Sequence, residues 1–328
     1  MRMTKNIRTD LALENSEYIN ENGHDLSGVD VTTEVDDDLN ITVTWVSITD
    51  ETGASAMGKP VGNYITIESA AMKENDTAVH EEIIKILARK LGKLHNLQPG
   101  AVILIVGLGN RNVTPDALGP QVCEKILVTR HLGEDMPQEL QGRVRAVSAL
   151  APGVMGITGI ETAEIVKGVV DRVKPDIIIA VDALAARRTS RINATIQMSD
   201  AGINPGAGLG NKRAAINKAT MGVPVIACGV PTVVDAATLV NDTMERMLDE
   251  MAEAAPDEGT FYDMLRGLQE GERYGLIREI LEPYEGNMFV TPKDVDAVIA
   301  RLAGIIANAF NIALHPGVTQ EDVNRYLN

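Results

Sequence analysis

Two short apolar runs that each lead to an aspartate constrain this chain most. Residues 101–107 read Ala-Val-Ile-Leu-Ile-Val-Gly and precede a loop that contains Asp116, whereas residues 177–181 read Ile-Ile-Ile-Ala-Val and end directly at Asp182. Short β-rich runs without alternation are typical of central strands that are buried on both faces of an α/β sheet. Parallel sheets place their chemistry at the carboxyl ends of such strands, so we expect Asp116 and Asp182 to lie close together.

Two carboxyl groups in a partly dry crevice should ionise unequally. Because two neighbouring negative charges are costly to bury, one group should keep its proton near neutral pH while the other stays charged. Such a pair can move protons to and from an attacking water. Taken singly, Asp116 and Asp182 each have a plainer interpretation as the N-cap of a following helix. Asp235 follows a third apolar run and is predicted to be a cap or a residue that supports the site.

The order of the predicted elements indicates an α/β fold. The predicted helices are Asp76–Leu94, Leu118 to about Leu132, Thr162–Val173, one that begins near Ala236, and Asp294–Leu314. The predicted strands among them are 101–107, 144–150, 177–181 and 223–228. Alternating strands and helices predict right-handed crossovers and a mostly parallel central sheet flanked by helices.

Four regions lie outside this alternation. Residues 29–70 alternate between apolar and polar side chains and predict a small additional antiparallel β region near the N-terminus. The polar residues before it are expected to be loosely held rather than packed. Residues 192–198 alternate like an exposed strand, and residues 251–287 are acidic and irregular, which predicts an insertion.

Composition argues against several classes of protein. The chain has 328 residues, of which 45% are hydrophobic, and this is enough for a large core. Its formal net charge of -16 argues against direct binding of nucleic acid, which depends on clustered lysines and arginines. The two cysteines form no disulfide framework and indicate a reducing compartment. No stretch is apolar enough to suggest a signal peptide or a membrane span, so we predict a cytoplasmic protein without membrane contact.

The Gly-Leu-Gly-Asn sequence at residues 107–110 starts like a dinucleotide-binding fingerprint but does not continue like one. Asn112 stands at the third glycine position, and Pro115 interrupts the place where the phosphate-binding helix should begin. A tight turn that aims Asn110 and Asp116 at the crevice explains the glycines better. Asn110 either donates a hydrogen bond to a developing oxyanion, orients Asp116 or caps the turn, and the sequence leaves these roles open.

Polar features that follow Asp182 point to peptide contacts. Arg187, Arg188 and Arg191 either pair with acidic side chains of a substrate or balance the charge of the crevice. The glycine-rich residues 202–210 lack the lysine of a phosphate-binding loop, which favours a flap or an edge that contacts a peptide. The five histidines show no metal-ligand spacing and no nucleophile arrangement, so a histidine-based hydrolase is not predicted.

Several unusual strings resemble the germination protease family of endospore-forming bacteria. They are Gly-Leu-Gly-Asn and Val-Thr-Pro-Asp-Ala-Leu-Gly-Pro within 107–120, Ala-Pro-Gly-Val-Met-Gly at 151–156, Val-Asp-Ala-Leu-Ala-Ala-Arg at 181–187, Asn-Pro-Gly and Gly-Asn-Lys-Arg within 204–213, and Gly-Val-Pro-Thr-Val-Val-Asp at 229–235. The resemblance extends from Arg8 to Lys293.

The resemblance implies an aspartic-type endopeptidase that degrades the small acid-soluble proteins coating spore DNA during germination. It implies that Asp116 and Asp182 are the catalytic residues, without a metal or another cofactor, in a fold like that of the peptidases that mature nickel hydrogenases. Asn110, Arg187, Arg188 and Asp235 are then expected to support the site or to bind substrate. The resemblance further implies a homotetrameric zymogen of the forespore and spore core, which removes its own N-terminal leader.

The leader itself resembles a substrate. Residues Thr9–Glu14 read Thr-Asp-Leu-Ala-Leu-Glu and match the pattern Thr, acid, large apolar residue, Ala, any residue, Glu of the sites that the family cuts. The segment can therefore occupy the crevice as an internal peptide. We predict a propeptide at residues 1–10, cleavage between Asp10 and Leu11, and a single peptidase domain at residues 11–328.

Two other functions stay open at this point. A metal-dependent peptidase of the hydrogenase-maturation type would use the same acids as metal ligands, although neither acid run has a histidine nearby. A non-enzymatic module could instead bind a nucleotide or a sugar phosphate at the glycine loops.

Overall fold

A computed structural model describes residues 9–21, 26–135, 141–206, 213–254, 275–277, 279–280, 288–319 and 322. The strands are β1 (Val29–Asp36), β2 (Ile41–Ile48), β3 (Gly62–Glu68), β4 (Val102–Gly107), β5 (Ala146–Leu150), β6 (Ile177–Ala186), β7 (Thr195–Ser199), β8 (Val225–Asp235) and β9 (Phe289–Val290). The α-helices are α1 (Ala12–Glu21), α2 (Glu51–Met57), α3 (Thr77–Leu94), α4 (Leu118–Lys125), α5 (Met155–Thr158), α6 (Thr162–Val173), α7 (Lys218–Met221), α8 (Ala236–Ala254) and α9 (Val295–Leu314). Short 3₁₀ segments lie at Ala70–Lys73, Thr114–Asp116, Arg130–Asp135 and Thr189–Arg191.

The strands of the described residues form one mixed sheet, which corrects the prediction of a mostly parallel one. Its order is β1-β2-β3-β7-β8-β6-β4-β5, and β9 pairs with β8. The pairings β5-β4, β4-β6 and β6-β8 are parallel, whereas the pairings from β1 to β8 through β2, β3 and β7 are antiparallel. The predicted antiparallel region thus exists, but β7 joins it to the parallel strands. All five residues of β7 are buried, so the expected exposed strand is central. Local alternation does not encode these long-range pairings.

Helices cover both faces of the parallel half of the sheet. Along β4, Ile103 and Ile105 pack into the larger hydrophobic core with α3, α4 and α9, whereas Leu104 and Val106 pack on the opposite face with α6 and α7. This burial on both faces explains why the run has no alternation, as the sequence indicates. The prediction of central strands flanked by helices is confirmed for this half.

Helix α9 is the most apolar helix of the described chain. By length and composition alone it is long enough to cross a membrane, contrary to the expectation that no segment of the chain would be. Phe310 and Leu314 of this helix are fully buried, and α9 packs against α3 and α4. The helix therefore belongs to the core of the fold.

Element boundaries differ from the predictions in three places that affect the site. Strand β6 does not end before Asp182 but continues to Ala186, and β8 continues to Asp235. Helix α4 ends at Lys125, because the next residue, Ile126, is extended. The N-terminal segment, expected to be loosely held, contains the packed helix α1. Of the predicted insertion, residues 251–254 end α8, and most of the remainder lies outside the described residues, as do residues 1–8.

Candidate active site

The loop after β4 is fixed at the end of β6. The main-chain N–H of Leu108 donates to the carbonyl of Val181 over 2.7 Å, one residue before Asp182. Gly109 has a φ of +106°, and a Cβ atom there would lie 2.1 Å from the carbonyl oxygen of Asp116. Only glycine permits this turn, so the glycines serve a tight loop rather than a phosphate site.

Asp116 ends a 3₁₀ turn inside this loop. Its Oδ2 accepts a hydrogen bond of 2.8 Å from the main-chain N–H of Asn110. The side chain of Asn110 instead accepts from the N–H of Asn112 over 3.0 Å, so it caps the turn, and the main chain of Asn110 orients Asp116. Helix α4 has Ala117 at its N-cap, so Asp116 does not cap it.

The opposite side of this loop is held by β8. The hydroxyl of Thr232 donates to the carbonyl of Pro115 over 2.7 Å, next to Asp116. Thr232 was not predicted as a site residue, since nothing in the sequence distinguishes it from other strand threonines. Asp116 is therefore fixed by its own loop and by β8.

Asp182 lies within β6, at the point where β4 ends. The last pairing of β4 with β6 joins Gly107 and Val181, and Asp182 is paired on its other side with Gly229 of β8. The side chain is 5% exposed, and its Oδ1 accepts from the N–H of Ala183 over 2.9 Å. Since the strand continues, Asp182 is not the N-cap of a helix.

The two aspartates have unequal affinities for a proton. Burial raises the pKa of Asp116 to about 6, although the N–H of Asn110 and the positive charge of Arg213 act in the opposite direction. Burial raises the pKa of Asp182 well above its ordinary value, and the negative charges of Asp116 and Asp10 raise it further. At neutral pH, Asp116 is therefore mostly ionised, and its negative charge makes Asp182 hold its proton more tightly.

The N-terminal segment Thr9–Glu14 lies along the carboxyl-terminal half of β6. The N–H of Asp10 donates to the carbonyl of Ala185 over 2.9 Å, and the carboxylate of Asp10 accepts from the N–H of Ala185 over 2.9 Å. The negative charge of Asp10 also raises the pKa of Asp182. Asp10, which precedes the predicted cleavage site, is therefore close enough to Asp182 for the two charges to interact.

Thr9 is held by contacts within the segment, whereas Leu11 and Ala12 are buried against the rest of the protein. The hydroxyl of Thr9 donates to the carboxylate of Glu14 and accepts from the N–H of Leu11. Leu11 is fully buried in a small cluster whose other members are Leu184, Ala186 and Ile203. Ala12 is fully buried in the core cluster formed with strands β2 and β3. Ile203 belongs to the described part of the glycine-rich region, which therefore contacts the segment.

Glu14 marks the far end of the bound segment. Its carboxylate accepts from the main-chain N–H groups of Arg187 and Arg188 over 2.7 and 2.8 Å. The sequence left open whether these arginines pair with acidic side chains of a substrate or balance the charge of the crevice, and their contact with Glu14 is made by main-chain N–H groups. The guanidinium of Arg188 pairs instead with Glu21 over 2.6 Å.

Arg191 forms the centre of a charged group that we name the arginine cluster, which consists of Arg191, Glu14, Glu17 and Glu68. Its guanidinium lies 2.6 Å from carboxylate oxygens of both Glu17 and Glu68 and 3.5 Å from Glu14. Burial opposes the charge of Arg191, but the surrounding carboxylates more than compensate and raise its pKa. Arg191 was one of the three arginines noted after Asp182, yet its partners come from α1 and β3 and could not be identified from the sequence.

The carbonyl oxygen of Asp10 is held by two side chains that the sequence did not reveal. Lys59 Nζ donates to it over 2.9 Å, and Gln197 Nε2 donates over 3.0 Å. The other amide atom of Gln197, Oε1, accepts from the N–H of Ala12 over 2.7 Å. Lys59 lies in the loop between α2 and β3, and Gln197 lies in β7.

Asp235 has a structural role in the described chain. It ends β8, and its Oδ1 accepts from the N–H of Ala237 over 2.8 Å, so that it caps the start of α8. The sequence left open whether it caps a helix or supports the site, and the contact with Ala237 gives it the capping role. Among the described residues, no group of three or more His, Cys, Asp or Glu side chains is arranged to hold a metal ion.

Comparison with known proteins gives the family. The sequence profile described as germination protease matches residues 7–260 and 249–327, which together span nearly the whole chain. The chain belongs to the germination protease family. It is 50% identical to a germination protease of Caldanaerobacter subterraneus over 98% of each chain, and 50% identical to one of Clostridium tetani over 98% of this chain and 99% of the relative. A germination protease of Bacillus subtilis is 43% identical over 98% of this chain and 96% of its own.

These matches confirm the resemblance seen in the sequence. Membership of the family makes the chain a peptidase, and the names of its relatives connect that activity with spore germination.

Proposed function

We propose that this protein is an endopeptidase that degrades small acid-soluble DNA-binding spore proteins during germination and that it matures by cutting itself between Asp10 and Leu11. The observation that carries this proposal is the position of Thr9–Glu14. All the specified positions of the family's cleavage pattern make hydrogen bonds or are buried, and the charge of Asp10, which precedes the bond to be cut, raises the pKa of Asp182. A segment held in this way is an internal model of a bound substrate.

The unequal aspartates suggest how water is activated. Asp116, ionised at neutral pH, takes a proton from water as its oxygen forms a bond to the carbonyl carbon of Asp10. Asp182, which carries a proton, gives it to the nitrogen of Leu11 as the carbon–nitrogen bond breaks. The products are a carboxyl terminus at Asp10 and an amine at Leu11. This assignment distinguishes the two acids, which the sequence left equivalent.

The remaining features of the proposal follow from the family and the charge of the chain. The substrates are small acid-soluble proteins, and the peptidase meets them without binding DNA itself, in agreement with its net charge of -16. We propose a homotetrameric zymogen of the forespore and spore core that is inhibited by its own propeptide and uses no metal or other cofactor.

The proposal is tested with a peptide that contains Thr-Asp-Leu-Ala-Leu-Glu. Self-processed protein is incubated with the peptide, and mass spectrometry maps the cut. We expect one cut between Asp and Leu and the same cut, before Leu11, in the protein. An intact peptide together with an N-terminus that still includes residues 9 and 10 would contradict the proposal.

A chelator separates the proposal from the metal-dependent alternative. Activity that survives extensive treatment with a chelator agrees with catalysis by the aspartates alone. Activity that is lost and then restored by a divalent cation would favour a metal-dependent peptidase.

A further inference from the structure

We propose that Lys59 and Gln197 form the oxyanion site of this peptidase. The inference rests on the proposed function, because it takes the Asp10–Leu11 bond as the bond that is cut. Both side chains donate to the carbonyl oxygen of Asp10, at 2.9 Å from Lys59 Nζ and 3.0 Å from Gln197 Nε2. The carbonyl oxygen is the atom on which negative charge develops when water adds, and fixed donors aimed at that charge stabilise the transition state.

The geometry of Gln197 fits a group that fixes the reacting bond from both sides. Nε2 contacts the carbonyl before the bond, while Oε1 accepts from the N–H of Ala12, one residue beyond Leu11. The side chain is 8% exposed, and its strand is paired on both sides, with β3 and with β8. Because β7 is fixed in this way, Gln197 needs little reorganisation during the reaction.

Lys59 contributes the second donor to the carbonyl oxygen. It follows the C-cap residue of α2, Gly58, which has a φ of +61°, and its side chain reaches the carbonyl of Asp10. Burial lowers the pKa of Lys59, while the negative charges of Asp10 and Glu14 act in the opposite direction. Because burial removes water from around Lys59, its hydrogen bond to a developing negative charge is stronger than the same bond would be in water.

In this arrangement, Lys59 and Gln197 stabilise the charge on the carbonyl oxygen, and the aspartates transfer the protons. When water adds to the carbonyl carbon, the electron pair of the C=O bond moves to the oxygen, which Lys59 and Gln197 hold. The pair returns when the bond to the nitrogen of Leu11 breaks. The proton of Asp182 is then free to go to the leaving nitrogen, and no proton has to be placed on the carbonyl oxygen.

The test is the first-order rate of self-cleavage of the full chain, followed by intact mass. We expect Lys59→Met to lower this rate about 10²- to 10³-fold, as loss of one oxyanion donor does. The segment should remain bound, so that hydrogen exchange at the amides of Ala12 and Arg188 is unchanged. Lys85→Met, which removes an exposed lysine paired with Glu82, is the matched control and should cleave at the normal rate.

A second variant and a rescue experiment protect the test against a folding defect. Gln197→Glu keeps an acceptor for the N–H of Ala12 but replaces the donor to the carbonyl with an acceptor, and we expect a loss of at least 10²-fold. Lys59→Ala should regain part of its rate when an alkylammonium salt is added. A rate within threefold of normal in folded Lys59→Met or Gln197→Glu would overturn the inference, and so would a slow rate explained by loss of amide protection.

Failure of the inference is distinguishable from failure of the proposed function. If the unaltered chain cuts itself between Asp10 and Leu11 and the Lys59 variant does so equally well, only the oxyanion site is wrong. If the unaltered chain does not cut this bond at all, the proposed function fails first.

Discussion

Two groups of buried or partly buried acids lie beside β6, and they differ in what surrounds them. In the arginine cluster, Glu14 and Glu17 meet a guanidinium and main-chain N–H groups, and Arg191 lowers the pKa of Glu17 despite its burial. In the aspartate pair, Asp116 and Asp182 have weaker compensation, and burial raises both pKa values. The first arrangement fixes a chain segment, and the second keeps a proton available for transfer.

The largest effect is expected from neutral replacement of the aspartates. Asp116→Asn and Asp182→Asn should each slow self-cleavage about a hundred- to ten-thousandfold, because general acid or base catalysis contributes that much. Intact mass spectrometry of the full chain measures the rate. Asp171→Asn, an exposed aspartate paired with Lys167, is the control and should cleave normally. A normal rate in either site variant would reject the assignment.

The next largest effect is expected in the arginine cluster. Arg191→Met leaves the carboxylates of Glu14, Glu17 and Glu68 without their shared cation. We expect the free energy of unfolding to fall by about 2 to 3 kcal/mol, less than for a fully buried pair because Glu17 and Glu68 are partly exposed. Urea denaturation measures this loss. An unchanged denaturation midpoint would show that the cluster does not stabilise the fold.

The pH dependence of self-cleavage follows from the aspartate pair. Asp116 must be ionised and its pKa is about 6, so the rate should fall about tenfold per pH unit below that value. The negative charge of Asp116 raises the pKa of Asp182, so the rate should fall again at a higher pH, where Asp182 loses its proton. Rates measured across this range test both limbs. A rate that is constant between pH 4 and 6 would contradict the role given to Asp116.

The same shift predicts a change in stability of known sign. The pKa of Asp182 is higher in the folded chain than in the unfolded chain, so the folded chain binds its proton more tightly. The contribution of Asp182 to the free energy of unfolding is therefore most favourable at low pH and decreases as pH rises. Asp182→Asn has no charge to bury, so its melting temperature should exceed that of the unaltered chain at pH 8. The difference should shrink towards pH 4, where the aspartic acid is also neutral in the unfolded chain.

A smaller effect is expected at Glu14. Glu14→Gln retains the shape but removes the charge that the N–H groups of Arg187 and Arg188 bind. Charged hydrogen bonds exceed neutral ones by about 1 to 2 kcal/mol, so self-cleavage should slow about tenfold. A peptide with Gln in place of the final Glu should show the same factor. Equal rates for both peptides would mean that the protein does not recognise this charge.

The smallest effect belongs to the exposed pair Arg188–Glu21. Both side chains are well exposed, at 39% and 51%. Glu21→Gln should change the free energy of unfolding by less than about 0.5 kcal/mol and leave self-cleavage unaltered. A larger change would show that the pair is part of the arginine cluster.

Several parts of the fold could be predicted from local patterns. The apolar run of β4, the amphipathic spacing of α3 and α6 and the alternation of β2 each reflect which faces are buried, and each is confirmed. The ends of β6 and β8 were placed too early, because Asp182 and Gly229 look like strand terminators when the neighbouring strands are unknown. The length of a strand depends on its partners.

Motifs and periodicity were enough to predict the family, the parallel core and the two aspartates worth testing, because this information lies in neighbouring residues. The packing of distant segments determined that the antiparallel strands join the same sheet and that Thr9–Glu14 lies on β6. It also decided that Lys59 and Gln197 meet the carbonyl of Asp10, from positions 49 and 187 residues away along the chain. Burial and charge at one point depend on every segment packed there, so the different proton affinities of Asp116 and Asp182 emerge only when the chain is folded.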